Sequence, residues 1–183
     1  DYERLVFASS CSVYGYPDNK KDIIDENYRV NPLTEYAKSK IDSEKSLSKL
    51  ATNKFKIVCL RFGTACGVSN MIRLDLVLND MVFNAVSSKE IIIKSDGEPW
   101  RPLIDVEDMA KIMIKFLEIK KIKDYDYYNV GSSLCNYKVI ELAQKIKKFL
   151  PNITIKILNE NPNDKRSYKV NFNKINNNLN NFK

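Results

Sequence analysis

Short apolar strands alternate with amphipathic helical segments along this chain, and that alternation restricts the fold more than any other feature. Arg4-Leu5-Val6-Phe7-Ala8 and Lys56-Ile57-Val58-Cys59-Leu60-Arg61 are runs of the kind buried on both faces of a sheet, with a helical pattern near 34–52 between them. Such an order favours parallel pairing, because parallel strands need a long crossover, usually a helix, to join them. The expected class is therefore α/β. Further helices are expected near 75–88, 107–119 and 137–149, with further strands at 91–93, 127–131 and 153–158. A loop over 63–73, a turn at 96–99 and a short terminal helix complete the expectation. The first strand has no element before it, so a sheet of this kind predicts further strands upstream of Asp1, and these residues expressed alone are expected to leave that strand an unpaired edge.

The helical segment at 34–52 carries Tyr36 and Lys40, four residues apart and so on one helix face. Asn31 and Thr34 both suit an N-cap and Pro32 a first helical position, with Ala37, Ile41, Leu47 and Leu50 as the apolar stripe. An ammonium beside a phenol favours the phenolate. Free tyrosine titrates near pH ~10, so work near neutrality needs a shift of about three units, or roughly 4 kcal/mol. The spacing alone is weak, since chance supplies about one such pair in a chain this rich in lysine. A second pair, Tyr16 and Lys20, spans Pro17 in a stretch that reads as a turn.

Composition removes several alternatives. The chain has no histidine, and its four cysteines form no C-x-x-C pair, which excludes histidine-dependent nucleophilic catalysis and argues against zinc. No apolar run approaches ~18 residues and no signal-peptide layout is present, so neither a membrane nor secretion is expected and a cytoplasmic location fits. The net charge of +7 raises nucleic acid as a partner. The lysines, however, are dispersed (Lys111, Lys115, Lys120, Lys121, Lys123, Lys145, Lys147, Lys148) with no arginine-rich block, so no nucleic acid is expected.

Four blocks occur in order: Ser-Ser-x-x-Val-Tyr-Gly at 9–15, Asn-Pro-x-x-x-Tyr-x-x-Ser-Lys at 31–40, Leu-Arg-Phe-Gly at 60–63, and Asp-Gly-x-x-Trp-Arg-Pro-x-x-x-Val-x-Asp-Met-Ala at 96–110. Together they resemble the extended short-chain dehydrogenase/reductase family, in its nucleotide-sugar epimerase/dehydratase branch. The resemblance implies a partial Rossmann-like, doubly wound parallel sheet over 1–67, and a smaller C-terminal α/β substrate-binding region over 68–183 whose elements near 104–150 return to the first sheet. It implies NAD as cofactor, with NADP as the alternative, a nucleoside-diphosphate sugar as substrate and a homodimer. The family's glycine-rich phosphate loop has no counterpart among five glycines, so that half is expected upstream.

Matched position by position, the resemblance makes Ser10, Tyr36 and Lys40 catalytic. Tyr36, Lys40, Phe62 and Gly63 would meet the cofactor, and Ser10, Ser12, Thr64, Asn79, Arg101 and Arg166 the substrate. Thr64 stands where an asparagine is common. Ser9 and Ser12 also read as local hydrogen-bonding loop residues, Tyr14 as packing, and Asp105 and Asp108 as loop ordering and a helix cap. Arg101 has a structural reading too, stacked beside Trp100.

Within the branch, 4,6-dehydratases carry acidic residues directly after the catalytic hydroxyl, and Cys11 and Ser12 stand there. Neither is a ready acid or base near neutrality, which disfavours loss of water. The expected reaction is epimerisation at C4 of an NDP-hexose through a 4-keto sugar. A one-way NAD(P)-dependent reductase and a non-catalytic dinucleotide-binding relative are the alternatives.

Overall fold

The computed structural model describes residues 2–19, 23–160 and 167–179. Along the chain run β1 (Arg4–Ser10), a 3-10 turn at Cys11–Tyr14, β2 (Ile23–Ile24), α1 (Glu35–Ser48), β3 (Lys56–Phe62), β4 (Thr64–Cys66), α2 (Val77–Ser87) and β5 (Glu90–Ile93). They are followed by β6 (Trp100–Asp105), α3 (Val106–Glu118), β7 (Tyr125–Val130), β8 (Asn136–Lys138), α4 (Val139–Phe149), β9 (Thr154–Ile157), β10 (Lys169–Val170) and α5 (Asn173–Asn178).

The first sheet has the order β1-β3-β7 and is parallel throughout. Register runs from Arg4 opposite Lys56 to Ser10 opposite Phe62, and from Ile57 opposite Tyr125 to Phe62 opposite Val130. Side chains alternate between faces, so Ser9, Arg61 and Asn129 share one face and Ala8, Leu60 and Tyr128 the other. Helix α1 covers the first face, its Glu44 meeting Arg61. Helix α3 covers the second, where Phe116 packs on Tyr128 at 4.9 Å between ring centroids. Helices on both faces of a parallel sheet make it doubly wound, and they explain why β3 is buried from Ile57 to Phe62.

A second core gathers Met81 and Ala85 of α2, Ile91 and Ile93 of β5, Leu103 of β6, and Leu142, Ala143 and Ile146 of α4. Here β5 pairs in parallel with β9, while β6 runs between a parallel β4 and an antiparallel β8.

Several boundaries differ from expectation. Thr34 caps α1, its side chain accepting the Ala37 N–H, so Glu35 rather than Pro32 takes the first helical position. The helix stops at Ser48, and Leu50 is 60% exposed, so the buried stripe is Ala37, Ile41 and Glu44 instead of one reaching Leu47 and Leu50. The loop at 63–73 contains β4, and Trp100–Asp105 is a strand despite Pro102. There β8 pairs only with Trp100–Pro102 and β4 only with Leu103–Asp105, so the proline falls at the changeover. Asp105 caps α3 as expected, accepting the Glu107 N–H.

Candidate active site

β1 and β3 end side by side, at Ser10 and Phe62; the chain leaves β1 by a 3-10 turn and passes from β3 through Gly63 into β4. Ser10 caps the 3-10 turn, its Oγ accepting the Ser12 N–H at 3.1 Å. With one lone pair so used, the Ser10 hydroxyl keeps its proton to donate. Gly15 follows at φ 66, where a side-chain carbon would lie 1.9 Å from the Asn31 carbonyl oxygen, so only glycine fits. The Asn31 N–H donates back to the Val13 carbonyl, which draws 31–34 over the end of β1 and starts α1 there.

This start places Tyr36 in the first turn of α1 and Lys40 one turn on. Lys40 Nζ donates to the Ala8 carbonyl at 2.7 Å and lies 4.9 Å from the Phe7 ring centre and 5.4 Å from that of Tyr36. Gly63 approaches β6 closely, a side-chain carbon there falling 3.0 Å from the Pro102 carbonyl oxygen, and its N–H donates to the Val130 carbonyl. Arg101 enters from β6, one guanidinium N–H donating to the Trp100 carbonyl at 3.0 Å.

These elements enclose a cleft of about 930 Å³ between the two cores, lined by Ser10, Ser12, Tyr36, Lys40, Phe62, Gly63, Thr64 and Arg101 among others. It lies at the carboxyl ends of parallel strands, where open α/β sheets take their ligands. Ser12 Oγ is buried without a hydrogen-bond partner. A buried hydroxyl left unpaired is costly, and this one belongs to a residue of the cleft wall.

Among the expected residues, one is placed elsewhere and one is not described. The Asn79 side chain donates to the Arg73 carbonyl, and Asn79 is not among the lining residues. Arg166, like Lys20, lies outside the described residues. Sequence reasoning passed over Arg73, Asp75, Asp80 and Lys94, which also line the cleft. Arg73 holds Asp75 through a two-bonded fork, which keeps the Asp75 carboxyl below its ordinary range. No spacing in the sequence marks these residues, because a loop and α2 bring them in.

Tyr14 does more than pack. It is fully buried, and its hydroxyl donates to Asn129 Oδ1 at 2.6 Å and accepts from Arg61. Burial pushes its phenol well above the usual range. Cys11 donates to the Arg61 carbonyl, and burial likewise raises its thiol far above normal. No group of three or more potential metal ligands occurs among the described residues, and no described helix is long and apolar enough to cross a membrane.

A doubly wound parallel sheet with a serine at one strand end and a tyrosine-lysine helix beside it is the arrangement of a short-chain dehydrogenase/reductase. The profile of the NAD dependent epimerase/dehydratase family matches residues 1–131, and the chain belongs to that family. An uncharacterized protein of Methanocaldococcus jannaschii is 32% identical over 162 residues, covering 82% of this chain and 48% of that protein. UDP-glucose 4-epimerase of Bacillus subtilis is 27% identical over 164 residues, covering 80% and 48%. The chain thus spans about half the length of these curated relatives. Among solved structures, UDP-N-acetylglucosamine 4-epimerase from Methanobrevibacter ruminantium M1 shares the fold with a TM-score of 0.78 at 23% identity, over 95% of this chain and 56% of that one.

Proposed function

We propose that these residues form the catalytic and sugar-binding part of an NAD-dependent nucleotide-sugar epimerase, acting at C4 of an NDP-hexose through a 4-keto sugar. The observation that carries the reading is the convergence of Ser10, Tyr36 and Lys40 on one cleft at the strand ends. The residues fit a nicotinamide cofactor. Lys40 uses one N–H on Ala8, leaving others to hold ribose hydroxyls beside Tyr36, and Phe62 and Gly63 form an adjoining wall. NAD, when bound, supplies a place for the hydride from the sugar carbon and gives it back.

Tyr36 takes the C4 hydroxyl proton and later returns it. Ser10 donates its hydroxyl hydrogen bond to the same sugar oxygen, steadying it as it becomes a carbonyl. Lys40 holds its positive charge 5.4 Å from the centre of the Tyr36 ring and positions that residue. The buried, unpaired hydroxyl of Ser12 is assigned to a further sugar hydroxyl. Four cationic side chains, Lys40, Arg73, Lys94 and Arg101, line the cleft against two carboxylates, Asp75 and Asp80, an excess that suits a diphosphate. Inversion requires the sugar to turn over, and a cleft near the upper end of ligand-pocket sizes, about 1,000 Å³, leaves room for it.

Loss of water is disfavoured by the groups after Ser10. Cys11 is a buried thiol with a raised pKa, and Ser12 is an alcohol. Asp75, held ionised by Arg73, is a poor proton donor to a leaving hydroxyl. UDP-glucose is the assay substrate indicated by the relatives' names. In the full-length protein that contains these residues, Tyr36→Phe is expected to abolish interconversion of UDP-glucose and UDP-galactose while NAD stays bound, and unchanged turnover would refute the reading.

A further inference from the structure

Beneath the cleft lies a closed polar network that the chemistry above does not use. Arg61 of β3 and Glu44 of α1 are both under 5% exposed. Arg61 Nε lies 3.0 and 3.2 Å from the two Glu44 carboxylate oxygens, and one terminal nitrogen reaches Oε2 at 2.6 Å. The other terminal nitrogen donates to the Tyr14 hydroxyl at 2.9 Å, and Tyr14 in turn donates to Asn129 of β7. Ser9 Oγ donates to Glu44 Oε1 at 2.5 Å, and Tyr125 Oη donates to the Glu44 carbonyl at 3.2 Å. Burial opposes the Arg61 charge, but Glu44 and Tyr14 more than offset it, and its pKa is raised.

Four members, Ser9, Arg61, Tyr14 and Glu44, are close in sequence to cleft residues, and Ser9 lines the cleft itself. Ser9 precedes Ser10, Arg61 precedes Phe62, Tyr14 follows Ser12 by two, and Glu44 stands one helical turn beyond Lys40. Arg61 and Glu44 themselves do not line the cleft. We propose that the Glu44–Arg61 pair is a positioning device, fixing the height of α1, and with it Tyr36 and Lys40, against the strand ends that carry Ser10 and Phe62.

A stability role explains the network less well. Replacing a buried ion pair by apolar residues of similar volume is often neutral or stabilising, and the best-attested use of such pairs is to specify register. A planar fork gripping one carboxylate from two sides admits one helix height. Slipping α1 by a single residue would move Tyr36 about 1.5 Å along the helix axis. Misplacement by ~1 Å can cost about 100-fold in rate.

This inference rests on the epimerase reading, and the test separates the two. In the full-length protein, the double variant Glu44→Leu/Arg61→Met removes both charges and avoids leaving one buried alone. It is expected to fold with a near-normal melting temperature, to keep KM for UDP-glucose within about 3-fold and to lose about 10- to 100-fold in kcat. Amide hydrogen exchange is expected to quicken over residues 36–44. A kcat within twofold of normal, or unchanged exchange there, would overturn the positioning role. If the double variant does not fold, Arg61→Lys replaces it, because a lysine keeps the charge but cannot hold Glu44 and Tyr14 together. An unchanged kcat in that variant overturns the proposal equally. An active Tyr36→Phe would instead overturn the reading on which it rests.

Discussion

The ammonium of Lys40 is tied to the carbonyl oxygen of Ala8 by a 2.7 Å hydrogen bond, two residues before Ser10. The helix cation is thereby anchored to the strand that presents the serine. Lys40→Met removes both this anchor and the cation beside the Tyr36 ring, and is expected to lower turnover about 100-fold, with Lys40→Arg losing less. Equal losses in the two variants would show that the positive charge is not what matters. Steady-state assays of both variants check this.

Ser10→Ala and Ser12→Ala separate two hydroxyls that are two residues apart. The first removes the acceptor for the Ser12 N–H and the donor assigned to the sugar oxygen. It is expected to cost about 0.5–1.5 kcal/mol of stability and about 10- to 100-fold in kcat. The second removes a hydroxyl with no partner, so the melting temperature should hold or rise slightly while KM for UDP-glucose increases. A Ser12→Ala variant of lower stability and normal KM would remove Ser12 from substrate contact.

Thr34→Ala tests how α1 is started. The Thr34 hydroxyl accepts the Ala37 N–H at 3.2 Å, and loss of such a cap costs about 1 kcal/mol. Tyr36 sits in the turn that this bond closes. The variant should therefore lose more kcat than its modest fall in urea midpoint would explain, whereas Thr34→Ser should behave as the original.

Much of this architecture is legible in the residues themselves. Thr34, Asp105 and the apolar runs of β1 and β3 announce their roles locally, through cap chemistry and through burial of parallel strands on both faces. The second sheet is not so marked. β4 is three residues long, and β6 contains a proline and divides its pairing between two neighbours, so both depend on tertiary partners. The Glu44–Arg61 pair did leave a signal. Glu44 follows Ala37 by seven residues and Ile41 by three, squarely on the buried stripe, and Arg61 interrupts an apolar strand between Leu60 and Phe62. Reading Leu47 and Leu50 as the continuation hid it, since hydrophobicity alone does not show where a helix stops touching its sheet.

The four thiols should divide into two classes. Cys11 and Cys59 are buried, while Cys66 and Cys135 are half-buried. Burial pushes the Cys59 thiol up to about 11, and at pH 8 a thiol of that kind is only about 0.1% thiolate. Burial and Asp105 raise the Cys66 thiol as well, so iodoacetamide at pH 8 is expected to label Cys135 first and Cys66 more slowly in the native protein, and Cys11 and Cys59 only after unfolding, as read by peptide mass spectrometry. Early labelling of Cys59 would mean that β3 is not the central, covered strand.

Glu26 provides a pH test of the packing at β7. It is buried and accepts the Asn129 N–H at 2.8 Å. Burial raises its pKa above the ordinary 4.5, opposed by the Asn129 hydrogen bond and by Lys174, and reinforced by Asp25. With the folded value above the unfolded one, the folded state holds the proton more tightly. The associated stability is present at pH 4.5 and below, and is lost as pH rises through the elevated value. Glu26→Gln cannot titrate and still offers an acceptor to Asn129. The stability of the original over the Gln variant should therefore be greater at pH 4.5 than at pH 7.5, measured as the difference in urea midpoints. A difference that grows with pH would mean that the folded protein favours the carboxylate, and that Lys174 and the Asn129 N–H outweigh burial.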